Sequence, residues 1–242
     1  MSVVVIPARM ESTRLPGKPL RKIAGIPMIL RVAENCLKTV ADRVIVATDS
    51  KEILETCEGF AGLESTMTAD DIQSGTDRVA KVAKFVDDDI IINVQGDEPF
   101  IDPKLINELI NDLKENPQVL MNTAACKFAD GEDVKDPNCV KVVLDKNGFA
   151  LYFSRLPIPY DRDGRGGVTY YKHIGIYGFR KSWLMQFASF AQTELENIEK
   201  LEQLRALENG VSIKVIKTDY KPVSVDTEED LIKAEEIMGR KN

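Results

Sequence analysis

Three cations follow the first apolar stretch of the chain within ten residues. Arg9, Arg14 and Lys18 lie in the segment 7–20, directly after the β-branched run 2–6. Positive charges at the carboxyl end of a buried parallel strand suit a polyanion, and Gly17 stands beside Lys18. The segment matches neither the Walker A pattern nor G-x-G-x-x-G. We therefore predict a phosphate-binding loop and an enzyme that uses a nucleoside triphosphate, with an ordinary solvated loop as the alternative.

A carboxylate follows another predicted strand. Asp97 lies in the segment 95–99 (QGDEP), where it could bind Mg²⁺ beside phosphates. The alternative is that Asp97 is a turn or helix-cap residue, as is common for an aspartate after a strand. Asp226, before the last predicted helix, has helix capping as its alternative role. Glu98 is ranked below Asp97, because Pro99 is expected to turn the chain away.

A helix start forms the third candidate site. In the segment 73–78 (QSGTDR), Ser74, Gly75 and the free amides of the first helical turn could bind a base or an anion. A plain N-cap is the alternative.

Bulk properties exclude several classes of function. The 242 residues carry a net charge of −7, which argues against general nucleic-acid binding. Four scattered cysteines and one histidine make a zinc site improbable. No apolar run approaches the roughly 20 residues that span a bilayer, and the start of the chain does not read as a signal peptide. We expect a cytoplasmic protein that does not insert into membranes.

The hydrophobic pattern alternates between strand-like and helix-like segments. It predicts an α/β, Rossmann-like fold with a mostly parallel central sheet and a small antiparallel insertion. The chain is expected to form one domain, with a nucleotide-binding core at 1–120 and 175–242 and an insertion at about 120–175. The predicted strands are 2–6, 43–48, 89–94, 119–128, 140–144, 151–153, 174–179 and 214–218. The predicted helices are 28–38, 51–59, 76–85, 103–115, 194–208 and 227–238, and 158–168 is predicted to be an exposed loop.

Motifs spread over nearly the whole chain resemble one family. After the loop 7–20 they are ATD (47–49), QSGTDR (73–78), NVQGDEP (93–99), ALYFSR (150–155), H-x-GIYGFR (173–180), LEQLR (201–205) and VDT (225–227). The sequence resembles the 3-deoxy-manno-octulosonate cytidylyltransferases, or CMP-Kdo synthetases. The opening loop alone would also admit CMP-sialate synthetases. Many members carry a histidine two residues before the serine of QSGTDR, where this chain has Ile72.

The resemblance implies a nucleotidyltransferase acting in bacterial lipopolysaccharide biosynthesis. CTP and Kdo would give CMP-Kdo and pyrophosphate, with Mg²⁺ as cofactor and a homodimer paired through the insertion. The proton of the sugar hydroxyl could pass to Asp97 or to solvent. An 8-amino-Kdo or a sialic acid is an alternative sugar, and a non-catalytic nucleotide-binding regulator is an alternative of another class.

The resemblance also implies residue roles. Arg9, Lys18, Asp97 and Asp226 would be catalytic, with Asp97 and Asp226 holding the metal. The nucleotide would contact Ala8, Arg9, Lys18, Ser74, Gly75, Arg78 and Gln95. The sugar would contact Arg78, Gln95, Arg155, His173, Tyr177, Glu202 and Gln203.

Overall fold

A twisted sheet forms the centre of the computed structural model, which describes residues 1–72, 74–164 and 166–239. Gln73 of the QSGTDR motif and Arg165 of the predicted loop 158–168 lie outside the described residues. The strands, in chain order, are β1 (Ser2–Ala8), β2 (Lys22–Ile23), β3 (Ile26–Pro27), β4 (Arg43–Thr48), β5 (Leu63–Met67), β6 (Ile90–Asn93), β7 (Met121–Lys127), β8 (Lys141–Leu144), β9 (Ala150–Ser154), β10 (Tyr171–Arg180) and β11 (Ile213–Thr218).

The helices lie between these strands and after the last one. They are α1 (Met28–Cys36), α2 (Lys51–Cys57), α3 (Gly75–Ala83), α4 (Pro103–Glu115), α5 (Lys181–Phe187), α6 (Glu194–Glu199), α7 (Leu204–Glu208) and α8 (Glu228–Gly239). Among the described residues, no helix combines the length and the apolar character needed to cross a bilayer.

The central sheet is mostly parallel, as the sequence predicts. Its order is β11–β7–β10–β6–β1–β4–β5, and β10 is the strand that runs antiparallel to both of its neighbours in this order. The hairpin of β8 and β9 pairs with the beginning of β10. The predicted fold class, an α/β Rossmann-like sheet with a small antiparallel addition, is confirmed.

The central strand β1 is buried on both faces, which explains its continuous run of apolar residues. Val4 and Ile6 pack on one side into a core shared with α1 and α4. Val3 and Val5 pack on the other side into a core shared with α3 and α5. Because side chains alternate between the two faces of a strand, consecutive residues of β1 enter two different hydrophobic cores.

Helix caps agree with the sequence pattern. The Asp102 side chain accepts a hydrogen bond from the Lys104 N–H at the start of α4 (2.9 Å). Ser50, rather than Asp49, supplies the cap of α2 by accepting from the Ile53 N–H. Thr227 and Asp230 form a reciprocal pair of capping hydrogen bonds at the start of α8.

The single helix predicted over 194–208 is wrong, because the chain breaks between α6 and α7. Lys200 adopts a left-handed conformation, with φ of 53°. Two bonds of 2.8 and 2.5 Å join the Arg205 guanidinium to the Glu196 carboxylate, both buried. In a straight helix the backbones of these residues would lie about 13.5 Å apart along the axis. Closing this ion pair therefore requires the break.

Four elements have no counterpart in the sequence prediction: the two-residue strands β2 and β3, which pair with each other, and the longer elements β5 and α5. β5 (LESTM) lies at the edge of the sheet, pairs only with β4 among the described strands, and has a half-polar sequence without strict alternation. α5 follows β10 without any intervening loop and buries Trp183, Leu184 and Phe187. Neither hydrophobic periodicity nor a turn motif distinguishes β5 or α5 from the surrounding sequence.

We predict that Gly178→Ala destabilises the protein, whereas Gly175→Ala in the same strand does not. A Cβ at Gly178 would overlap Asn122 Oδ1 and lie 2.9 Å from Leu113 Cδ1, but one at Gly175 would meet nothing within 4 Å. Overpacking of this kind costs roughly 1–3 kcal/mol. Urea unfolding should show a lower midpoint for Gly178→Ala alone, and equal midpoints for the two variants would contradict the packing of β10.

Candidate active site

A cleft of about 300 Å³ opens where β1 and β6 end. Ligands of open α/β sheets commonly bind outside the carboxyl ends of the strands. The cleft collects every residue predicted to bind nucleotide or metal, from segments far apart in the sequence. These residues are Ala8, Arg9, Lys18, Ser74, Gly75, Arg78, Gln95, Asp97 and Asp226.

The loop after β1 is held by a buried anchor. Leu15 is 1% exposed and packs in a small core with Ile23, Met28 and Val225. Gly17 has a φ of 65°, a left-handed conformation that favours glycine. A single 3-10 turn, Lys18–Leu20, then begins. The turn directs Lys18 into the cleft, while Arg9 stays exposed at its edge.

The Lys18 ammonium lies between two carboxylates. Its Nζ is 2.5 Å from Asp97 Oδ2 and 3.0 Å from Asp226 Oδ1. Burial lowers the pKa of Lys18, but the charge of Asp97 and the hydrogen bonds to both carboxylates outweigh this effect and hold it above its ordinary value. Arg14 adds a more exposed ion pair to Asp226 at 3.1 Å. The two predicted metal ligands therefore meet at one cation in the structure.

Backbone contacts bring these carboxylates together. The Val225 N–H donates to the Asp97 carbonyl (3.0 Å), so the segment before α8 runs beside the segment after β6. A Cβ at Gly96 would lie 3.0 Å from the carbonyl oxygen of Pro7. Glycine at this position therefore allows the loop of Asp97 to lie against the end of β1.

Glu98 does not line the cleft. Its carboxylate accepts hydrogen bonds from the Ser224 hydroxyl and, at 3.5 Å, from the Tyr220 hydroxyl. Burial raises the pKa of Glu98 to about 7, and the neighbouring charges of Asp97 and Asp226 act in the same direction. The Glu98 carboxylate is thus engaged with Ser224 and Tyr220 and not with Lys18, unlike those of Asp97 and Asp226.

The start of α3 forms the opposite wall of the cleft. The Ser74 hydroxyl accepts a hydrogen bond from the Asp77 N–H (3.0 Å), so it serves as the N-cap. A Cβ at Gly75 would lie 3.3 Å from Pro7 Cγ and 3.5 Å from Gln95 Oε1. Ser74 is thus both the N-cap of α3 and a predicted nucleotide contact, and these two roles are compatible.

Arg78 is buried in this wall. Its NH2 group is 2.6 Å from Asp49 Oδ2, and its NH1 group donates to the Thr68 hydroxyl. Asp49 belongs to the ATD motif, but no role in the site was predicted for it. Its position directly after a predicted strand is the signal that could have placed it in the site.

Hydrogen bonds lead from the cleft towards the predicted sugar residues. Gln95 Nε2 donates to Asn93 Oδ1 (3.3 Å), and Asn93 Nδ2 donates to Thr76 Oγ1 (3.4 Å). The Thr76 hydroxyl donates in turn to the Glu202 carboxylate. Asn93 and Thr76 lie within the motifs NVQGDEP and QSGTDR, but no site role was predicted for them, because nothing in the sequence shows that these two side chains contact each other.

His173, Tyr177 and Gln203 form a second group behind Glu202. His173 Nε2 is 2.9 Å from Thr123 Oγ1, and the ring lies 4.9 Å from Phe153 and 5.5 Å from Tyr177 between centroids. Desolvation lowers the pKa of His173 to about 3, so the imidazole is neutral near pH 7. The Tyr177 hydroxyl donates to Gln203 Oε1 (3.1 Å). Among the described residues, Gln203 Nε2 is buried without a hydrogen-bond partner.

Arg155 lies apart from both groups. Its guanidinium donates to the backbone carbonyls of Glu199 (2.7 Å), Pro137 (2.8 Å) and Lys200 (3.2 Å). Its own N–H donates to the Glu199 carboxylate. These contacts tie the end of β9 to the break between α6 and α7. The cleft lining thus contains the predicted nucleotide and metal residues but not Arg155, His173, Tyr177, Glu202 or Gln203.

The sequence and the fold both have characterised counterparts. The chain matches the family described as cytidylyltransferase over residues 3–214. The 3-deoxy-manno-octulosonate cytidylyltransferase of Trichlorobacter lovleyi is 46% identical over 247 residues, which cover 98% of each chain. That of Koribacter versatilis is 49% identical and covers 100% of this chain and 91% of the relative.

A solved structure is similar along the whole chain. It is described as CMP:2-keto-3-deoxy-manno-octonic acid synthetase complexed with CTP. It matches with a TM-score of 0.95 and 38% identity, and it covers 100% of this chain and 99% of that chain. Together with the relatives above, this match shows that the chain belongs to the cytidylyltransferase family, among the 3-deoxy-manno-octulosonate cytidylyltransferases.

Proposed function

We propose that this chain transfers the cytidylyl group of CTP to Kdo, giving CMP-Kdo and pyrophosphate for bacterial lipopolysaccharide biosynthesis. The anomeric hydroxyl of the sugar would attack the α-phosphorus, and pyrophosphate would leave. The names of the relatives support the substrates. The observation that carries the proposal is the cleft in which Lys18 meets Asp97 and Asp226 beside the loop after β1.

The cations of this loop are suited to the triphosphate. Arg9 is exposed at the edge of the cleft and Lys18 lies inside it. Charge builds up on the phosphoryl oxygens during nucleotidyl transfer, and fixed cations stabilise it most where water is excluded. Ser74 and Gly75 stand across the cleft, where the first amides of α3 can bind the cytosine or a phosphate oxygen.

The two carboxylates fit a magnesium ion. Asp97 and Asp226 supply hard oxygen donors that already contact one common cation, the Lys18 ammonium. No group of three or more acidic, histidine or cysteine side chains suited to a metal occurs among the described residues. Mg²⁺ commonly binds through one or two carboxylates plus substrate phosphates, where it neutralises charge on the phosphoryl group. We propose Asp97 and Asp226 as its ligands.

The sugar site is proposed to extend from Gln95 and Arg78 towards Glu202. The buried Gln203 Nε2, which has no partner among the described residues, is a donor available to a hydroxyl or carboxylate of the sugar. His173 and Tyr177 complete this group as hydrogen-bonding residues. The proposed sugar contact of Arg155 rests on the family resemblance, since its guanidinium is bound to backbone carbonyls.

A homodimer and a cytoplasmic location are proposed as well. Leu151, Leu156 and Tyr160 of the predicted insertion are 63%, 71% and 84% exposed, and such apolar side chains suit a protein interface.

All four cysteines are free, which suits a reducing compartment. Burial raises the pKa of the Cys57 thiol to about 11, so this thiol is unreactive near pH 7.

The reaction itself can be tested directly. Purified protein with CTP and Mg²⁺ should release pyrophosphate when Kdo is added, and a panel with 8-amino-Kdo and a sialic acid should rank Kdo first by kcat/KM. A higher kcat/KM with either other sugar would change the proposed acceptor. Absence of pyrophosphate release with all three would contradict the transferase function and favour a nucleotide-binding regulator.

Replacing Asp97 should abolish most of the activity. Asp97→Asn removes the carboxylate nearest to Lys18 and one proposed metal ligand, and we expect kcat to fall roughly 100- to 1,000-fold, as for other lost transition-state contacts. Asp102→Asn is the matched control, because Asp102 caps α4 and asparagine caps about as well. Steady-state kinetics over a range of Mg²⁺ concentrations should separate the two variants. Equal kcat values would refute the role of Asp97.

The single histidine should stay neutral across the working range of pH. Its folded-state pKa of about 3 lies below the ordinary 6.5. As pH falls, His173 in the unfolded chain therefore takes up a proton before His173 in the folded chain does. Between about pH 6.5 and about pH 3 this difference lowers the stability of the folded state. The imidazole NMR signal should not shift between pH 5 and 8, and His173→Gln should reduce the loss of stability on acidification. A titration midpoint near 6.5 would refute this.

A further inference from the structure

The Asp49 carboxylate connects three parts of the site. It follows the last residue of β4, and its Oδ2 lies 2.6 Å from Arg78 NH2 on α3. Its Oδ1 accepts a hydrogen bond from the Met10 N–H at 3.4 Å, in the loop after β1. Asp49 does not itself line the cleft, but both Arg78 and the residue before Met10, Arg9, do.

The pair of Asp49 and Arg78 is largely shielded from water. The Arg78 side chain is 3% exposed and that of Asp49 is 16% exposed. A guanidinium buried to this degree is costly without a partner, and removing one member of such a pair leaves an uncompensated charge. Thr68 and the Ala69 carbonyl hold NH1, so the contacts fix the plane of the guanidinium as well as its position.

We propose, on the basis of the function proposed above, that Asp49 is a positioning residue for CTP. It orients Arg78 towards the nucleotide and fixes the start of the phosphate-binding loop next to Arg9. Asp49 acts through these residues and does not touch the substrate.

Position in the sheet explains how one side chain can do this. β4 lies beside β1 in parallel register, with Thr48 opposite Ala8. The residues that follow the two strands therefore emerge at the same edge, where α3 also begins. A carboxylate one residue beyond β4 is within reach of both the loop and the second turn of α3, and a longer connection would lose this geometry.

The test compares CTP binding by Asp49→Asn and the wild type, measured by calorimetry with Mg²⁺ and without sugar, so that no turnover occurs. The amide keeps an acceptor for the Met10 N–H but loses the charge opposite Arg78. We expect the Kd for CTP to rise about tenfold, which corresponds to about 1.4 kcal/mol. In kinetics, the KM for CTP should rise while kcat changes little.

A matched control is available at the opposite, amino-terminal ends of the strands. Asp88→Asn removes a buried carboxylate, 1% exposed, from its pair with Arg43 at 3.4 Å. Arg43 and Asp49 lie about 20 Å apart along an extended chain. Asp88→Asn should lower the melting temperature yet leave the Kd for CTP within about twofold of the wild type, as expected for a distant site.

A double variant protects the test against loss of folding. Asp49→Asn with Arg78→Gln removes both charges, so no unpaired cation stays buried. If Asp49 acts mainly through Arg78, this double variant should bind CTP no more weakly than Arg78→Gln alone. Additive weakening, or a Kd for Asp49→Asn equal to that of the wild type, would overturn the proposal. Wild-type protein that neither binds CTP nor releases pyrophosphate would instead refute the proposed function.

Discussion

The burial of β1 on both faces is the constraint on which the other elements depend. Its alternate residues enter two separate cores, one built with α1 and α4 and the other with α3 and α5. Its two parallel neighbours, β4 and β6, are each held by a ladder of hydrogen bonds on opposite sides of β1. Because all three strands end at one edge, the segments after them converge there. The site therefore forms as a consequence of how the sheet is packed.

Charge balance at this edge gives the cleft its chemistry. Lys18 is surrounded by Asp97 and Asp226, and Arg78 is matched by Asp49. Each pair is partly or wholly shielded from water, where an unmatched charge would be costly. A polyanion entering the cleft would meet cations that are already held in place, so little reorganisation would be needed to stabilise it.

The break between α6 and α7 connects the predicted sugar residues to the cleft. It closes the ion pair of Glu196 with Arg205 and directs Glu202 towards Thr76 at the start of α3. Through Asn93, Thr76 is also connected to Gln95 in the cleft. A continuous helix would have kept Glu202 on a charged solvent-facing surface. One strained residue, Lys200, thus allows a helical segment to contribute to a site.

The sequence by itself determined the parallel core, the caps of α3 and α4, and the motif residues of the cleft, because these depend on local periodicity and on side-chain type. It also determined which residues carry charge, including Lys18 and Asp97. Only the tertiary structure decided that Lys18 lies between Asp97 and Asp226, that Asp49 pairs with Arg78, and that Arg155 binds backbone carbonyls instead of lining the cleft. The edge strand β5 and the helix break belong to the same group. The physical reason is that these features depend on partners distant in the chain, whose energies outweigh local propensity and leave no trace in spacing.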